Sequence, residues 1–186
     1  MARITQLTSE AAVGEAKELL DTVKNKLGLV PNMARAMANS PAVLQGYLSL
    51  NDALRKGGLS AQVREQIALA VSEANGCDYC VAAHSTVGKM LGLTPEQIRD
   101  SREGTAVDSK TDALIHFARR VLETRGRVDD SDLGHVRDVG FDDAIIAEVV
   151  ANVALHVFTN YFNNVAETDL DFPRAPALKV AAVTTA

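Results

Sequence analysis

Four residues near the middle of the chain have the types and the spacing that thiol chemistry requires. The only two cysteines of the chain, Cys77 and Cys80, are separated by two residues. His84 follows Cys80 by four residues, and Glu65 precedes Cys77 by twelve. If a helix begins near Cys77, just after the helix-breaking Gly76, both thiols and the imidazole lie within roughly 60° of one another on one helix face. The spacing therefore predicts a redox-active thiol pair.

The predicted place of the pair, in the first turn of a helix, explains why these residue types suit redox chemistry. The free N–H groups and partial positive charge of that turn stabilise a thiolate. A neighbouring imidazole can accept the thiol proton. A second thiol three residues away can convert a sulfenic acid into a disulfide before it oxidises further. A carboxylate in an apolar setting can move protons, and Glu65 is followed by Ile67, Ala68 and Leu69.

Several less specific interpretations of the same residues remain open. Two buried, unreactive cysteines are one, and half of a zinc site is another. Zinc needs two further ligands, usually a second CxxC or a close pair of histidines, whereas the histidines here are scattered: His84, His116, His135 and His156. A thioredoxin-like site would require the CxxC after a strand, and no strand pattern is present. Glu65 could be an exposed helix residue, and Tyr79 could line the site or only pack.

Length and composition limit the class of protein. The chain has 186 residues, which suits one domain, and 47% are hydrophobic but only 4% aromatic. The formal net charge of −5 argues against a nucleic-acid partner, because phosphate binding needs a basic patch. No run of about 18 apolar residues and no apolar leader segment is apparent, so we expect no membrane contact and a cytoplasmic location.

The elements that must position the four residues are predicted to be helices throughout. Apolar residues recur at helical spacing from Ser9 to Lys26, and a second helix is expected over Pro41 to Lys56. A glycine, an apolar residue and an N-capping residue occur together three times, at 58–60, 92–94 and 140–142, which is typical of tight corners between helices. We predict a single all-helical domain over 1–166 and an extended or loosely ordered tail over 167–186.

The last long helix carries polar residues at a strict spacing of four: Glu148, Asn152, His156, Asn160 and Asn164. The residues between them are mostly apolar, which is typical of a helix buried on most sides. One interpretation of the row is a thin strip that faces solvent. The other is a buried hydrogen-bonded seam at a subunit contact or near the thiols.

Taken together, Glu65, Cys77, Cys80 and His84 resemble the signature of the carboxymuconolactone decarboxylase superfamily, in its alkyl hydroperoxidase D-like (AhpD-like) branch. That signature is a glutamate, a CxxC that begins twelve positions later, and a histidine four positions after the second cysteine, and all four positions match. The resemblance extends over about residues 30 to 95 and is looser in the C-terminal half. The stretches 31–41 and 59–65 resemble the peroxidase-related members of the branch.

The resemblance implies a compact all-α, AhpD-like thiol peroxidase without a cofactor or metal, with the CxxC at the N-terminal turn of a helix. It implies that Cys80 attacks the peroxide, that Cys77 resolves the sulfenic acid, and that Glu65 and His84 relay protons. The partners it implies are an alkyl or other peroxide, an external dithiol or protein thiol as reductant, and further copies of the chain in a dimer, trimer or hexamer. The best-known members have a histidine directly before the second cysteine, where this chain has Tyr79.

Two alternative functions fit the same residues. The thiols could form a non-enzymatic redox switch or a disulfide-exchange adaptor, in which the disulfide alters a helical interface. A lyase of the carboxymuconolactone decarboxylase type is the other alternative. Such lyases generally do not rely on a CxxC pair, so the two thiols favour the peroxidase.

Overall fold

A computed structural model describes residues 2–178, and every regular element in that part of the chain is an α-helix. The helices are α1 (Gly14–Leu27), α2 (Asn32–Met37), α3 (Pro41–Leu54), α4 (Ala61–Ala74), α5 (Asp78–Met90), α6 (Pro95–Glu103), α7 (Ser109–Thr124), α8 (Asp130–Asp138) and α9 (Asp143–Ala166). The predicted all-α fold class is confirmed. Residues 179–186 of the predicted tail lie outside the described residues.

The three predicted corners are confirmed by their capping bonds. The side chains of Ser60 and Asp142 accept hydrogen bonds from backbone N–H groups in the first turns of α4 and α9. Thr94 and Gln97 form a reciprocal capping box at the start of α6. The glycines differ in their roles, because Gly92 and Gly140 have left-handed φ angles of 88° and 94°. The other corner instead brings its backbone close to α9, where Glu148 accepts the N–H groups of Gly58 and Leu59.

Two helix boundaries differ from the sequence-based expectation. α1 begins at Gly14 rather than Ser9, because Gly14 has a φ of 55° and separates the helix from a short turn before it. In that turn, the amides of Ala11 and Ala12 bond to the carbonyl of Thr8. α3 ends at Leu54 rather than Lys56, because the N–H groups of Lys56 and Gly57 bond to carbonyls three residues back instead of four, which tightens the chain into a 3₁₀-type turn.

Helix α4 is the centre of the fold, because α5, α6, α7 and α9 all pack against it. Its residues from Gln66 to Ser72 are all buried, so nearly every face of this segment contacts protein. One apolar cluster joins α4 to α7, α8 and α9, with Phe117, Val136 and Val149 among its buried members. A second cluster joins α1, α2 and α3. The arrangement places Glu65, at the edge of the buried segment, beside α5.

Helix α9 is long and apolar enough to cross a bilayer by length and composition, with a mean hydropathy of 1.4 over its best 18 residues. Central helices of globular proteins share this property. In the structure, α9 packs against α3, α4, α5 and α7. Its buried side includes the polar residues Asn152, His156, Thr159, Asn160 and Asn163.

Candidate active site

The two cysteines form a disulfide at the start of α5. Gly76, with a φ of 60°, turns the chain out of α4, and Cys77 is the N-cap residue of α5. The sulfur of Cys77 is bonded to that of Cys80, with 5.3 Å between the two Cα atoms. The backbone N–H of Cys80 also points to Cys77 Sγ at 3.2 Å. The CxxC therefore lies at the N-terminal turn of a helix, as predicted, where free N–H groups favour a thiolate.

Glu65 and His84 form a hydrogen-bonded pair between neighbouring helices. Glu65 Oε2 lies 2.7 Å from His84 Nδ1, and both side chains are about four-fifths buried. Since Nδ1 is engaged by the carboxylate, the other ring nitrogen of His84 remains available to exchange a proton with a group in the site. The structure thus brings together the two residues that the sequence predicted as a proton relay.

A cavity of about 270 Å³ borders this pair and one of the two sulfurs. Cys80, His84 and Glu65 line it, whereas Cys77 does not. Most of the remaining wall is apolar or aromatic, with Met33, Tyr47, Tyr79, Val87, Leu155 and Phe172. A small molecule in the cavity would therefore meet Cys80 before Cys77.

Asn163 contacts Cys80 directly, and the sequence analysis did not find it. Its amide nitrogen lies 3.3 Å from Cys80 Sγ and 2.9 Å from the carbonyl of Thr159. The amide oxygen accepts a 2.7 Å bond from the hydroxyl of Thr168, which orients the amide with its nitrogen toward the sulfur. A donor in this position would stabilise a thiolate on Cys80. Asn163 lies seven positions after His156, which places both residues on the same helix face, and this spacing is the sequence signal for it.

The polar row of α9 is buried at its centre and only Asn164, at its end, is exposed, so the interpretation as a solvent-facing strip is wrong. Asn152, His156 and Asn160 are buried, and Asn160 bonds to Ser72 and Asn75 of the neighbouring chain segment. The row faces inward because α4 and α5 pack against this side of α9. The outward side of α9 carries exposed apolar residues such as Val150 and Tyr161, while Val149, Val153 and Leu155 are buried.

His156 lies next to the Glu65–His84 pair and lines the same cavity. Its ring contacts that of His84 edge-on, with 5.0 Å between centroids. Burial, and secondarily the neighbouring His84, lowers the pKa of His156 well below its ordinary value. The ring is therefore neutral at neutral pH.

Two tyrosines complete the wall near the disulfide. The hydroxyl of Tyr79 accepts the backbone N–H of Met33 at 3.2 Å, and its ring packs edge-on against Phe172. Tyr79 thus both lines the site and packs. Burial raises the pKa of Tyr79 above its ordinary value, and burial followed by Glu65 raises the pKa of Tyr47 to about 12. Both hydroxyls therefore keep their protons at neutral pH.

Residues after α9 cover the disulfide from the outside. Phe172 and Leu170 pack against the cluster of Cys77, Tyr79 and Cys80, and the two cysteines are only 1% and 3% exposed. The segment is held by side-chain bonds, among them Asp171 to the N–H of Asn32 and Arg174 to Asp78. A reagent reaches Cys80 through the cavity rather than directly from solvent.

Comparison with known proteins agrees with the signature found in the sequence. The sequence model of the Carboxymuconolactone decarboxylase family matches residues 41–124, which include Glu65, both cysteines and His84. Over these residues the chain matches the carboxymuconolactone decarboxylase family, which confirms the resemblance found in the sequence. No curated protein sequence matches the chain. Within residues 2–178, no group of three or more His, Cys, Asp or Glu side chains is arranged to hold a metal ion.

Several solved structures share the fold over nearly the whole chain. A peroxidase-related protein of Ralstonia eutropha JMP134 with an alkylhydroperoxidase AhpD core is 25% identical, with a TM-score of 0.83 over 91% of this chain and 92% of its own. A peroxidase-related protein of Silicibacter sp. TM1040 is 23% identical, with a TM-score of 0.78 over 89% and 90%. The debrominase Bmp8 is 17% identical, with a TM-score of 0.76 over 91% and 92%, and shares the fold.

Proposed function

We propose that this chain is a thiol-dependent peroxidase that reduces organic hydroperoxides through a Cys77–Cys80 dithiol–disulfide cycle. The observation that carries the proposal is the contact of Cys80, but not Cys77, with a cavity that also contains the Glu65–His84 pair. The attacking thiolate must be accessible and must have a proton acceptor nearby, and Cys80 meets both conditions.

The cycle has three balanced steps. Cys80 gives its proton to the relay, and its thiolate forms an S–O bond to the terminal oxygen of the hydroperoxide. The O–O bond breaks, the remaining fragment leaves as an alkoxide, and it takes up a proton to become the alcohol, while Cys80 becomes a sulfenic acid. The resulting sulfenic acid is attacked by Cys77, and water leaves as the disulfide forms. An external dithiol then restores both thiols by exchange. The structure, with its Cys77–Cys80 bond, corresponds to the oxidised end of this cycle.

The apolar wall and the size of the cavity support an organic rather than a purely inorganic peroxide. A volume of about 270 Å³ accommodates a small alkyl or aryl group beside the reacting oxygens. The same opening admits a small dithiol, since the tail segment covers the disulfide elsewhere.

The proposal is tested by steady-state consumption of cumene hydroperoxide with dihydrolipoamide as reductant. The unaltered chain should turn over, and Cys80→Ser should abolish turnover. Cys77→Ser should still form a sulfenic acid on Cys80 once, without further cycles, because no resolving thiol remains. Val153→Ala, a buried change on α9 that does not line the cavity, serves as the matched control and should keep the activity.

Other outcomes of this assay favour the alternatives. A disulfide that forms and is reduced reversibly without catalytic consumption of peroxide would support a redox switch instead. Full activity of Cys80→Ser would contradict the mechanism. The carboxymuconolactone decarboxylase-type lyase is supported by the family match over residues 41–124, but it gives the two thiols no role.

We also propose that the chain forms a homo-oligomer, in the cytoplasm. The outward side of α9 presents a row of exposed apolar residues at helical spacing: Val150, Phe158, Tyr161 and Val165. Such a row on one face supports a contact between copies of the chain. Light scattering of the unaltered chain and of Tyr161→Glu tests the proposal, since a monomer in both cases would contradict it.

A further inference from the structure

His156 is a buried titratable side chain that the cycle described above does not use. It is 7% exposed and lines the same cavity as Cys80. Its Nδ1 is enclosed by protein without a hydrogen-bond partner among residues 2–178, so Nε2 is the ring nitrogen left to face the cavity. The amides one turn away on either side, Asn152 and Asn160, both have partners. Nε2 has no hydrogen bond to the described residues either, and a polar atom without a partner at the wall of a cavity indicates a place for a bound polar group.

The other donors of α9 near Cys80 are already engaged. Asn163 directs its amide nitrogen to Cys80 Sγ and to the carbonyl of Thr159. The hydroxyl of Thr159 donates to the carbonyl of His156. A peroxide that reaches Cys80 therefore meets His156, whose ring has no hydrogen bond to the described part of the protein.

The neutral state of the ring suits a hydrogen-bond donor. A neutral imidazole has one N–H group and one bare nitrogen, so it can donate to an oxygen without adding a further charge to the cavity, which Glu65, Arg55 and Arg64 already border. His84, 5.0 Å away between ring centroids, takes the thiol proton together with Glu65. The two histidines would thus act on different groups: His84 accepts the thiol proton, and His156 donates a hydrogen bond to the peroxide.

We propose that His156 is a catalytic residue of the peroxidase cycle, whose ring N–H binds the leaving oxygen of the hydroperoxide. The lone pair of the Cys80 thiolate forms the S–O bond to the terminal oxygen, and the O–O bonding pair departs on the other oxygen. The hydrogen bond from His156 stabilises the charge that develops there, and the alkoxide then takes the proton held by the Glu65–His84 pair. This inference rests on the proposed peroxidase function.

The test compares two oxidants whose leaving groups differ in basicity. tert-Butyl hydroperoxide leaves as a strongly basic alkoxide, whereas peracetic acid leaves as acetate, which needs little stabilisation. The pre-reduced protein is mixed with each oxidant, and loss of the Cys80 thiol is followed in a single turnover. His156→Leu should lose on the order of 10²-fold with tert-butyl hydroperoxide, the usual effect of removing an oxyanion donor, but only about twofold with peracetic acid. His156→Gln, which keeps an N–H donor, should recover part of the loss.

The controls separate a chemical role from a structural one. Val153→Ala tests for general loosening of α9 and should leave the ratio of the two rates unchanged. Circular dichroism confirms that each variant is folded, and His156→Gln keeps the test open if His156→Leu is not. Equal losses on both oxidants, or no loss, would overturn the role of His156 while leaving the peroxidase intact. If the unaltered chain oxidises with neither reagent, the proposed function itself fails.

Discussion

A single substitution at Asn163 can show how much its contact with Cys80 stabilises the reactive thiolate. Asn163 Nδ2 lies 3.3 Å from Cys80 Sγ, and both residues are buried. Asn163→Ala removes this donor and leaves the cysteines, the Glu65–His84 pair and the cavity lining otherwise in place. We expect the Cys80 thiolate to become less stable, so that a higher pH is needed to form it.

The size of the effect follows from the kind of bond that is lost. A hydrogen bond to a charged group contributes about 1.5–3 kcal/mol, and sulfur is a weak acceptor, which favours the lower end of that range. A loss of about 1.5 kcal/mol corresponds to roughly tenfold less thiolate at a pH below the titration midpoint. At a pH well above the midpoint the thiol is ionised in both proteins, and the difference should disappear.

The assay uses the Cys77→Ser background, in which Cys80 is the only remaining cysteine. The rate of alkylation by iodoacetamide, measured against pH in the reduced protein, reports the thiolate fraction. Asn160→Ala is a matched control, because Asn160 is a buried asparagine of the same helix that bonds to Ser72 and Asn75 but not to sulfur. Thr168→Val should give an intermediate effect by releasing the amide oxygen of Asn163.

The pH profiles decide the outcome. Superimposable profiles for Asn163→Ala and its parent would refute the reasoning, because the hydrogen bond would then contribute nothing to the thiolate. An equal change in Asn160→Ala would show that loosening of α9, rather than the bond to sulfur, is responsible.

Three further predictions concern the relay, the buried histidine and the corner before α4. Glu65→Gln should lower peroxide turnover by about 10²-fold, the usual effect of losing general acid–base catalysis, while disulfide formation remains measurable by thiol titration. Burial lowers the pKa of His156, so the unfolded chain binds a proton below about pH 6.5 that the folded chain does not. Folding stability should therefore fall as the pH drops below that value, by up to about 1.4 kcal/mol per pH unit, and urea unfolding of His156→Gln should lack this contribution. Glu148→Ala removes the acceptor of the Gly58 and Leu59 amides and should lower the free energy of unfolding by about 2 kcal/mol, whereas an unchanged urea midpoint would contradict this.

Much of the site could be predicted because its geometry is local. The turn at Gly76 and the N-cap position of Cys77 place the two sulfurs within one helical turn, whatever the rest of the chain does. The corners at Ser60, Thr94 and Asp142 were predictable for the same reason, since a cap depends on residues two or three positions away. The start of α1 was not, because the periodic apolar pattern continues through Gly14 although the backbone there is left-handed.

The polar residues of α9 mark the limit of this kind of prediction. Their spacing of four shows that they share one face, but helical period alone does not say whether the face meets water or protein. The apolar residues on the opposite side made the solvent-facing interpretation reasonable. The packing of α4 and α5 against that face reversed it, and left the exposed apolar row on the outside.

The sequence by itself determined which atoms can react and where the helices begin around them, because chemical type, capping and the spacing of Cys77, Cys80 and His84 are properties of neighbouring residues. Tertiary structure alone decided that Glu65 bonds to His84, that Asn163 contacts Cys80, and that His156 lines the same cavity. Those contacts join residues of α4, α5 and α9 that lie up to 83 positions apart. They depend on how whole helices pack, and that packing is set by the combined burial of many apolar side chains rather than by any short motif.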